Sequence, residues 1–266
     1  MKKIIIISMA VVMTGAGFFA FNAHKKSERG SFELNILSIG DSITSGIEDE
    51  EGTWATNYNF HLYALLTKAG YRPRFLGSHI KSTNGPEPIS DEGYGSYCIA
   101  ENWQDCKFAS NENTKMNQKV LEDNSLLLNL DHILIQSHTP KIIILQGGIN
   151  DIGVNQNNHD NNTIMGNPAA NMLKMAQRVK VKYPDALIVI LPVFAYQHKE
   201  IEPAIEKFNS EVLAGVKTMK NAIFVELPNF NKPANFFTDG IHPTEIGYAE
   251  MGEKIYEEIS KQKLLP

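Results

Sequence analysis

Four consecutive aliphatic residues stand at the centre of Lys141-Ile142-Ile143-Ile144-Leu145-Gln146, and Gly147-Gly148-Ile149-Asn150-Asp151 follows directly. A strand with one wet face alternates apolar and polar side chains, so an unbroken apolar run needs cover on both faces. Helices packed on either side of a parallel sheet supply that cover. Outward from this run, Phe32 to Ile39, Arg74 to Leu76, Ala186 to Leu191 and Ile223 to Glu226 read as four further strands. Helical spacing separates them. From Trp54 the apolar positions Tyr58, Leu62, Leu65, Leu66 and Ala69 recur every three to four residues, with Thr53 as a candidate N-cap and Gly70 just past the end. Helix-like segments also lie near 121–137, 168–183, 200–219 and 243–261. The expected architecture is α/β, a three-layer doubly wound domain on a five-stranded parallel sheet.

Two polar stretches interrupt the alternation: 78–120, rich in Ser, Asn and Gly, and the Asn-rich 155–167. Both read as loops at strand ends. With no internal repeat and no linker between two cores, 32–266 is expected to be one domain. Ahead of it, Lys2 and Lys3 precede an uncharged apolar stretch from Ile4 to Phe21, the layout of a secretory signal peptide over 1–23. Phe18 and Phe21 fit poorly before the small-residue cleavage positions, which keeps an uncleaved membrane anchor as the alternative. The polar residues 24–31 form a tether. Export to the periplasm or medium is expected, with membrane anchoring by the N-terminal segment as the second reading. In an oxidising compartment Cys98 and Cys106 are expected to form a disulfide, contributing about 2–3 kcal/mol in the chain-entropy model. Two free thiols are the alternative.

The 266 residues, 42% hydrophobic and 21% charged with a net charge of −5, exclude a disordered or multi-span membrane chain. No basic run follows the leader, so no nucleic-acid partner is expected. The two cysteines have no His cluster beside them at ligand spacing, so no metal is expected either.

Four short motifs carry chemistry, and all four follow predicted strands. Gly40-Asp41-Ser42 puts a hydroxyl on a tight turn after the first strand. Asp239-Gly240-Ile241-His242-Pro243 sets a carboxylate three residues before an imidazole, close enough to accept one ring N–H and leave the other nitrogen basic. Pro243 suits a first helical position. Asn150, after the central strand, can donate to an oxyanion, and glycine in Glu92-Gly93-Tyr94-Gly95-Ser96 lets a backbone N–H approach a carbonyl. Alone, each reads equally as a turn or a cap. Their common placement at the carboxyl edge of one sheet, where ligands bind in open α/β folds, sets them apart.

On these residues the chain resembles the SGNH hydrolases, also called GDSL esterases and lipases, over nearly its whole length after the leader. Gly40-Asp41-Ser42 is similar to the family's first block, Gly148-Ile149-Asn150-Asp151 to its third, and Asp239 to His242 to its fifth. The resemblance implies a flavodoxin-like sheet of order 2-1-3-4-5. It also implies Ser42, His242 and Asp239 as nucleophile, base and acid, with the Ser42 N–H, Gly95 N–H and Asn150 amide as oxyanion donors. No cofactor is implied. In the second block, Asp91-Glu92-Gly93-Tyr94-Gly95-Ser96-Tyr97 departs from the family pattern: strict alignment puts Ser96 at the oxyanion glycine, and a one-residue shift restores Gly95. An α/β-hydrolase is set aside, because its nucleophile elbow reads Gly-x-Ser-x-Gly and follows several strands.

Among relatives the stretches around Ser42, Phe75-Leu76-Gly77-Ser78 and Glu92-Gly93-Tyr94 look most like acetylxylan-esterase-like carbohydrate esterases. That implies hydrolysis of O-acetyl esters on carbohydrate, with a small-molecule or polysaccharide ester as partner. Asp41, Tyr94 and Trp54 are the expected substrate contacts, and Tyr97 and Trp103 are further candidate stacking faces. A lysophospholipase or thioesterase of the same family, an acyltransferase, and a non-catalytic polysaccharide-binding protein are the alternatives.

Overall fold

The structure is a computed structural model, and it describes residues 32–46, 56–81, 88–100, 125–157 and 167–262. Its centre is β5 (Ile142–Leu145), all four residues of which are buried. One edge of β5 pairs with β1 (Glu33–Gly40) and the other with β6 (Leu187–Ile190), which in turn pairs with β7 (Ala222–Phe224), all in parallel. The free edge of β1 is shared end to end. Its Glu33–Leu37 half pairs with β2 (Arg72–Leu76), and Ile39 and Gly40 pair with Glu92 and Gly93 of β4 (Ile89–Gly93). A short β3 (His79–Lys81) closes the edge antiparallel to β4.

The expectation of five parallel strands is therefore corrected: among the described residues the sheet has seven and is mixed, though mostly parallel. β3 and β4 arise from 78–120, which composition marks as loop. Their sequences, His-Ile-Lys and Ile-Ser-Asp-Glu-Gly, carry too few apolar residues to announce strands. β4 pairs because a hydrogen-bonding edge of β1 is open beyond the end of β2, and β3 then pairs with β4.

The helices follow their apolar spacing. In α5 (Pro168–Lys182) Ala169, Met172, Met175, Ala176 and Val179 are buried. Asn167 caps it by accepting the Ala170 N–H at 3.0 Å, and Pro168 stands in the first turn. In α6 (Glu202–Val216) the buried stripe is Ile205, Phe208, Val212 and Val216. In α7 (Glu245–Ser260) it includes Tyr248, Met251, Ile255 and Ile259. α2 (Tyr58–Lys68) packs on α7, and α5 packs on α6. Parallel connections are right-handed, so the crossover from β1 outward to β2 and those from β5 outward to β7 place their helices on opposite faces. The chain from β7 to α7 thus returns to the face of α2, crossing the carboxyl edge as it does so.

Several boundaries differ from the sequence reading. α2 starts at Tyr58, with Asn57 as its cap in place of Thr53; Thr53 and Trp54 lie outside the described residues. The helix expected over 121–137 is, in its described part, a single turn, α3 (Leu130–Ile133). Ser125 is held there in a bridge to Cys98 instead. α7 begins at Glu245 with Thr244 as cap, so Pro243 precedes the helix and bridges to Phe236. The leader, the tether and Cys106 lie outside the described residues. Among the described residues no helix is long and apolar enough to cross a membrane.

Two buried polar side chains fix loops to this frame. Asn57 accepts the Asn59 N–H at 2.9 Å, while its amide donates to Thr44 O at 2.6 Å and to Asp91 Oδ2 at 3.1 Å. Asp151, in the first turn of α4 (Ile149–Asn157), accepts the Ile99 N–H at 3.0 and 3.2 Å. Burial pushes the Asp151 carboxyl up to about 7, against the opposing pull of that N–H.

Asn57→Ala removes a cap and leaves two buried acceptors short of a donor, which should cost about 2–4 kcal/mol in urea unfolding. A midpoint within error of wild type would show that these bonds carry nothing. Asp151 titrates higher in the fold than its usual 3.8, so between that value and about 7 the native state binds more protons than the unfolded chain. Its contribution to stability is thus full below that window and declines as pH rises through it. Asp151→Asn, which keeps an acceptor but cannot ionise, should flatten this decline; an unchanged slope of stability against pH would count against it.

Candidate active site

The end of β1 turns sharply into α1 (Ser42–Ser45) at Gly40. A side chain at Gly40 would collide with Thr44 Oγ1 and the Gln146 carbonyl, so only glycine lets the strand end, the turn and β5 meet this closely. Asp41 caps α1 by accepting the Ile43 N–H at 2.9 Å. Thr44 is held by Tyr58 OH at 2.8 Å and donates to Gln146 Oε1 at 3.2 Å. With Asn57 on the Thr44 carbonyl, the turn carrying Ser42 is tied to β5, to α2 and to the end of β4. Ser42 itself is half-buried at the first helical position.

From the opposite end of the chain, the segment before α7 brings an imidazole to that hydroxyl. His242 Nε2 lies 2.9 Å from Ser42 Oγ, across 200 residues of sequence. His242 Nδ1 lies 2.6 Å from Asp239 Oδ2. The other carboxylate oxygen, Oδ1, accepts the Ile241 and His242 N–H groups at 2.9 and 3.0 Å. An anionic partner on Nδ1 selects the tautomer with hydrogen there, leaving the Nε2 lone pair to face the Ser42 hydroxyl. Partial burial pushes the Asp239 carboxyl up, but the hydrogen bonds from the His242 ring and the two backbone N–H groups outweigh it and hold it below the usual range. The His242 side chain is 27% exposed and that of Asp239 46%, so the pair is open to an incoming molecule.

Asn150, the second residue of α4, donates one hydrogen bond from its amide to Tyr97 O at 2.8 Å. An amide nitrogen carries two hydrogens, so this bond fixes the Asn150 plane and leaves a second donor. Tyr97 O belongs to a turn closed by Tyr97 N–H to Tyr94 O at 3.2 Å, while Tyr94 N–H donates to Gly40 O at 2.9 Å. Gly95 and Ser96 are the central residues of the turn, and Ser96 takes the left-handed conformation with φ 63°. Among the described residues, none beyond its chain neighbours comes within 4 Å of where a Cβ on Gly95 would stand.

Two of the expected substrate contacts, Asp41 and Tyr94, are buried. Asp41 is fully buried as the α1 cap, where burial pushes its carboxyl up to about 6. Tyr94 is buried against Tyr97 and His79, with its hydroxyl on Glu92. Glu92 also accepts from Ser78 N–H at 2.7 Å and Ser78 Oγ at 2.9 Å. Tyr94 directly follows β4, which lies in the sheet and not in a loop. Tyr97 is buried too, and Cys98 is buried beside it. Trp54, Trp103 and Cys106 lie outside the described residues.

Sequence reasoning did not single out Asn57, Tyr58, Thr44 or Gln146 as supports of the site, and only the N-cap pattern before α2 hints at Asn57. Nor did it single out His198. Its Nε2 lies 2.7 Å from the Asp239 carbonyl oxygen, in the stretch Gln197-His198-Lys199-Glu200, whose sequence carries no motif that points to the site.

A family model, the GDSL-like lipase/acylhydrolase family, matches residues 38–250. A multidomain esterase of Ruminococcus flavefaciens is 24% identical over 242 residues, covering 85% of this chain; the chain spans 28% of that protein's length. Among solved structures, a family 3 carbohydrate esterase of Clostridium thermocellum superposes with a TM-score of 0.60 at 22% identity, over 85% of this chain and 94% of the other. A catalytic mutant of an acetylxylan esterase from Geobacillus stearothermophilus superposes with a TM-score of 0.59 at 15% identity, over 86% and 95%. At these identities the structural likeness carries the fold. With the family match spanning every strand from the end of β1 to β7 and both halves of the Ser42–His242 contact, the chain belongs to the GDSL-like lipase/acylhydrolase family.

Proposed function

We propose that this protein is a serine esterase that hydrolyses short-chain esters, acetyl foremost, on carbohydrate. The observation that carries the reading is the unbroken line from Asp239 Oδ2 through His242 to Ser42 Oγ, with contacts of 2.6 and 2.9 Å. In this reading His242 Nε2 takes the Ser42 proton as Ser42 Oγ attacks the ester carbonyl carbon. Asp239 stabilises the imidazolium that forms. The Ser42 N–H, the Gly95 N–H and the second amide hydrogen of Asn150 receive the tetrahedral oxyanion. Collapse of the intermediate expels the alcohol oxygen, which takes the proton from His242. Water, deprotonated by His242 in turn, releases the acid and restores Ser42.

The carbohydrate part of the reading is supported by the likeness to carbohydrate and acetylxylan esterases, joined to the family membership. Gly95 is preferred to Ser96 as the second donor because open space surrounds it, whereas Ser96 takes the left-handed position of the turn. We further propose that the protein is exported or anchored through its apolar leader, with Cys98 and Cys106 joined as a disulfide in that oxidising compartment.

Ser42→Ala should abolish turnover of acetyl esters, and wild-type-like hydrolysis by that variant would refute the assignment. Losing one oxyanion donor costs about 3–4 kcal/mol, so Asn150→Ala should lower kcat by roughly a hundred- to a thousandfold with KM little changed. An unchanged kcat would remove Asn150 from the mechanism. Across an ester chain-length series, kcat/KM should fall steeply beyond about four carbons. A rise toward long chains would instead favour a lysophospholipase or thioesterase.

A further inference from the structure

The turn that carries Asp239 and His242 lies outside regular secondary structure, yet it is held from a second direction. Tyr196 N–H donates to Gly240 O at 2.7 Å, and His198 Nε2 lies 2.7 Å from Asp239 O. Both contacts come from the segment after β6. Gly240 has φ 67°, and a side chain there would meet the Tyr196 carbonyl and come within 3.2 Å of the His198 ring, so the two segments are in direct contact. Gln197, with φ 64°, takes a left-handed conformation unusual for its type, and this bend presents His198 to the turn.

The chemistry of the two contacts sets the state of the ring. Nε2 faces a carbonyl oxygen, and Nδ1 faces Glu200 Oε1 at 3.1 Å. Both partners only accept, so both contacts together require hydrogen on both nitrogens, the imidazolium. The Asp239 carbonyl and the Glu200 carboxylate favour that charge, raising the ring above the usual histidine range. The carboxylates facing it are Glu200 on its own segment and Asp239 on the turn opposite. The bond ends on the backbone of Asp239, whose carboxylate fixes His242, so a shift there moves the base relative to Ser42.

We propose that His198 is a positioning residue for the reaction, its Nε2–H holding the Asp239 carbonyl so that the Asp239–His242 pair stays in line with Ser42. This rests on the triad reading above. A misplacement of about 1 Å in a reacting group can cost on the order of a hundredfold in rate, and the effect falls on turnover more than on binding.

The test is steady-state hydrolysis of p-nitrophenyl acetate by the full chain and by His198→Ala, His198→Met, His198→Gln and Ser42→Ala, with folding followed by circular dichroism. His198→Ala and His198→Met lack the donor and should lower kcat about 10- to 100-fold, with KM within about twofold. His198→Gln offers an amide N–H near the position of Nε2 and should return kcat to within about threefold of wild type. Wild-type kcat in the folded Ala or Met variant, or no rescue by Gln, would overturn the proposal. Loss of folding in both the Ala and Met variants would also overturn it, making His198 a stability residue. Activity surviving in Ser42→Ala would instead fault the triad, an outcome distinct from all of these.

Discussion

Two backbone hydrogen bonds at the end of β1 govern the site. Gln146 N–H donates to Ile39 O at 3.0 Å and Tyr94 N–H to Gly40 O at 2.9 Å, one from each neighbouring strand. They bring the segment after β1, the turn after β4 and the start of α4 to one place, and Ser42, Gly95 and Asn150 lie on those three segments. The bare Cα of Gly40 is what allows the approach. Nothing in the local sequence of any one segment sets this geometry; sheet pairing does, and the side chains inherit it.

The fourth segment arrives differently. β7 is the last parallel strand, and the chain then crosses the carboxyl edge to reach the face of α2, where α7 packs. The Asp239–His242 turn lies on that crossing, outside the strands of the sheet, with the isolated Phe236–Pro243 bridge at its base. Its own side chains supply part of the constraint, since Asp239 Oδ1 accepts two backbone N–H groups of the turn. The Phe237 N–H donates to His242 O at 3.0 Å and closes the turn from its own flank, and the Tyr196–His198 segment holds it from the other side.

Much of this was legible in the sequence, and the limits are physical. The aliphatic run of β5 announced a sheet covered on both faces, and the five strands read from apolar runs are all present. The Asp239–His242 spacing predicted their contact, because three residues with a glycine between them suffice to fold a carboxylate onto an imidazole. β3 and β4 were missed because edge pairing depends on a vacancy along β1, which no periodicity within 78–120 encodes. Tyr94, which follows β4 directly, has its ring buried for the same reason. A Gly-Asp-Ser motif likewise does not tell which of its two polar side chains turns inward as the cap, a place that Asp41 takes. Three carboxylates near the site show how environment decides role. Asp41 and Asp151 are fully enclosed and driven toward the neutral form, while Asp239, open to solvent and facing a ring N–H, is kept ionised.

The central claim is that Ser42 Oγ is activated by His242 for attack on a carbonyl or an equivalent electrophile. Its most direct test is mass spectrometry of the intact protein and its peptides after brief exposure to a fluorophosphonate. The account predicts a single adduct on the peptide containing Ser42, formed quickly by wild type and not by His242→Ala. Rapid labelling at another serine, or equal labelling of Ser42 when His242 is absent, would contradict it.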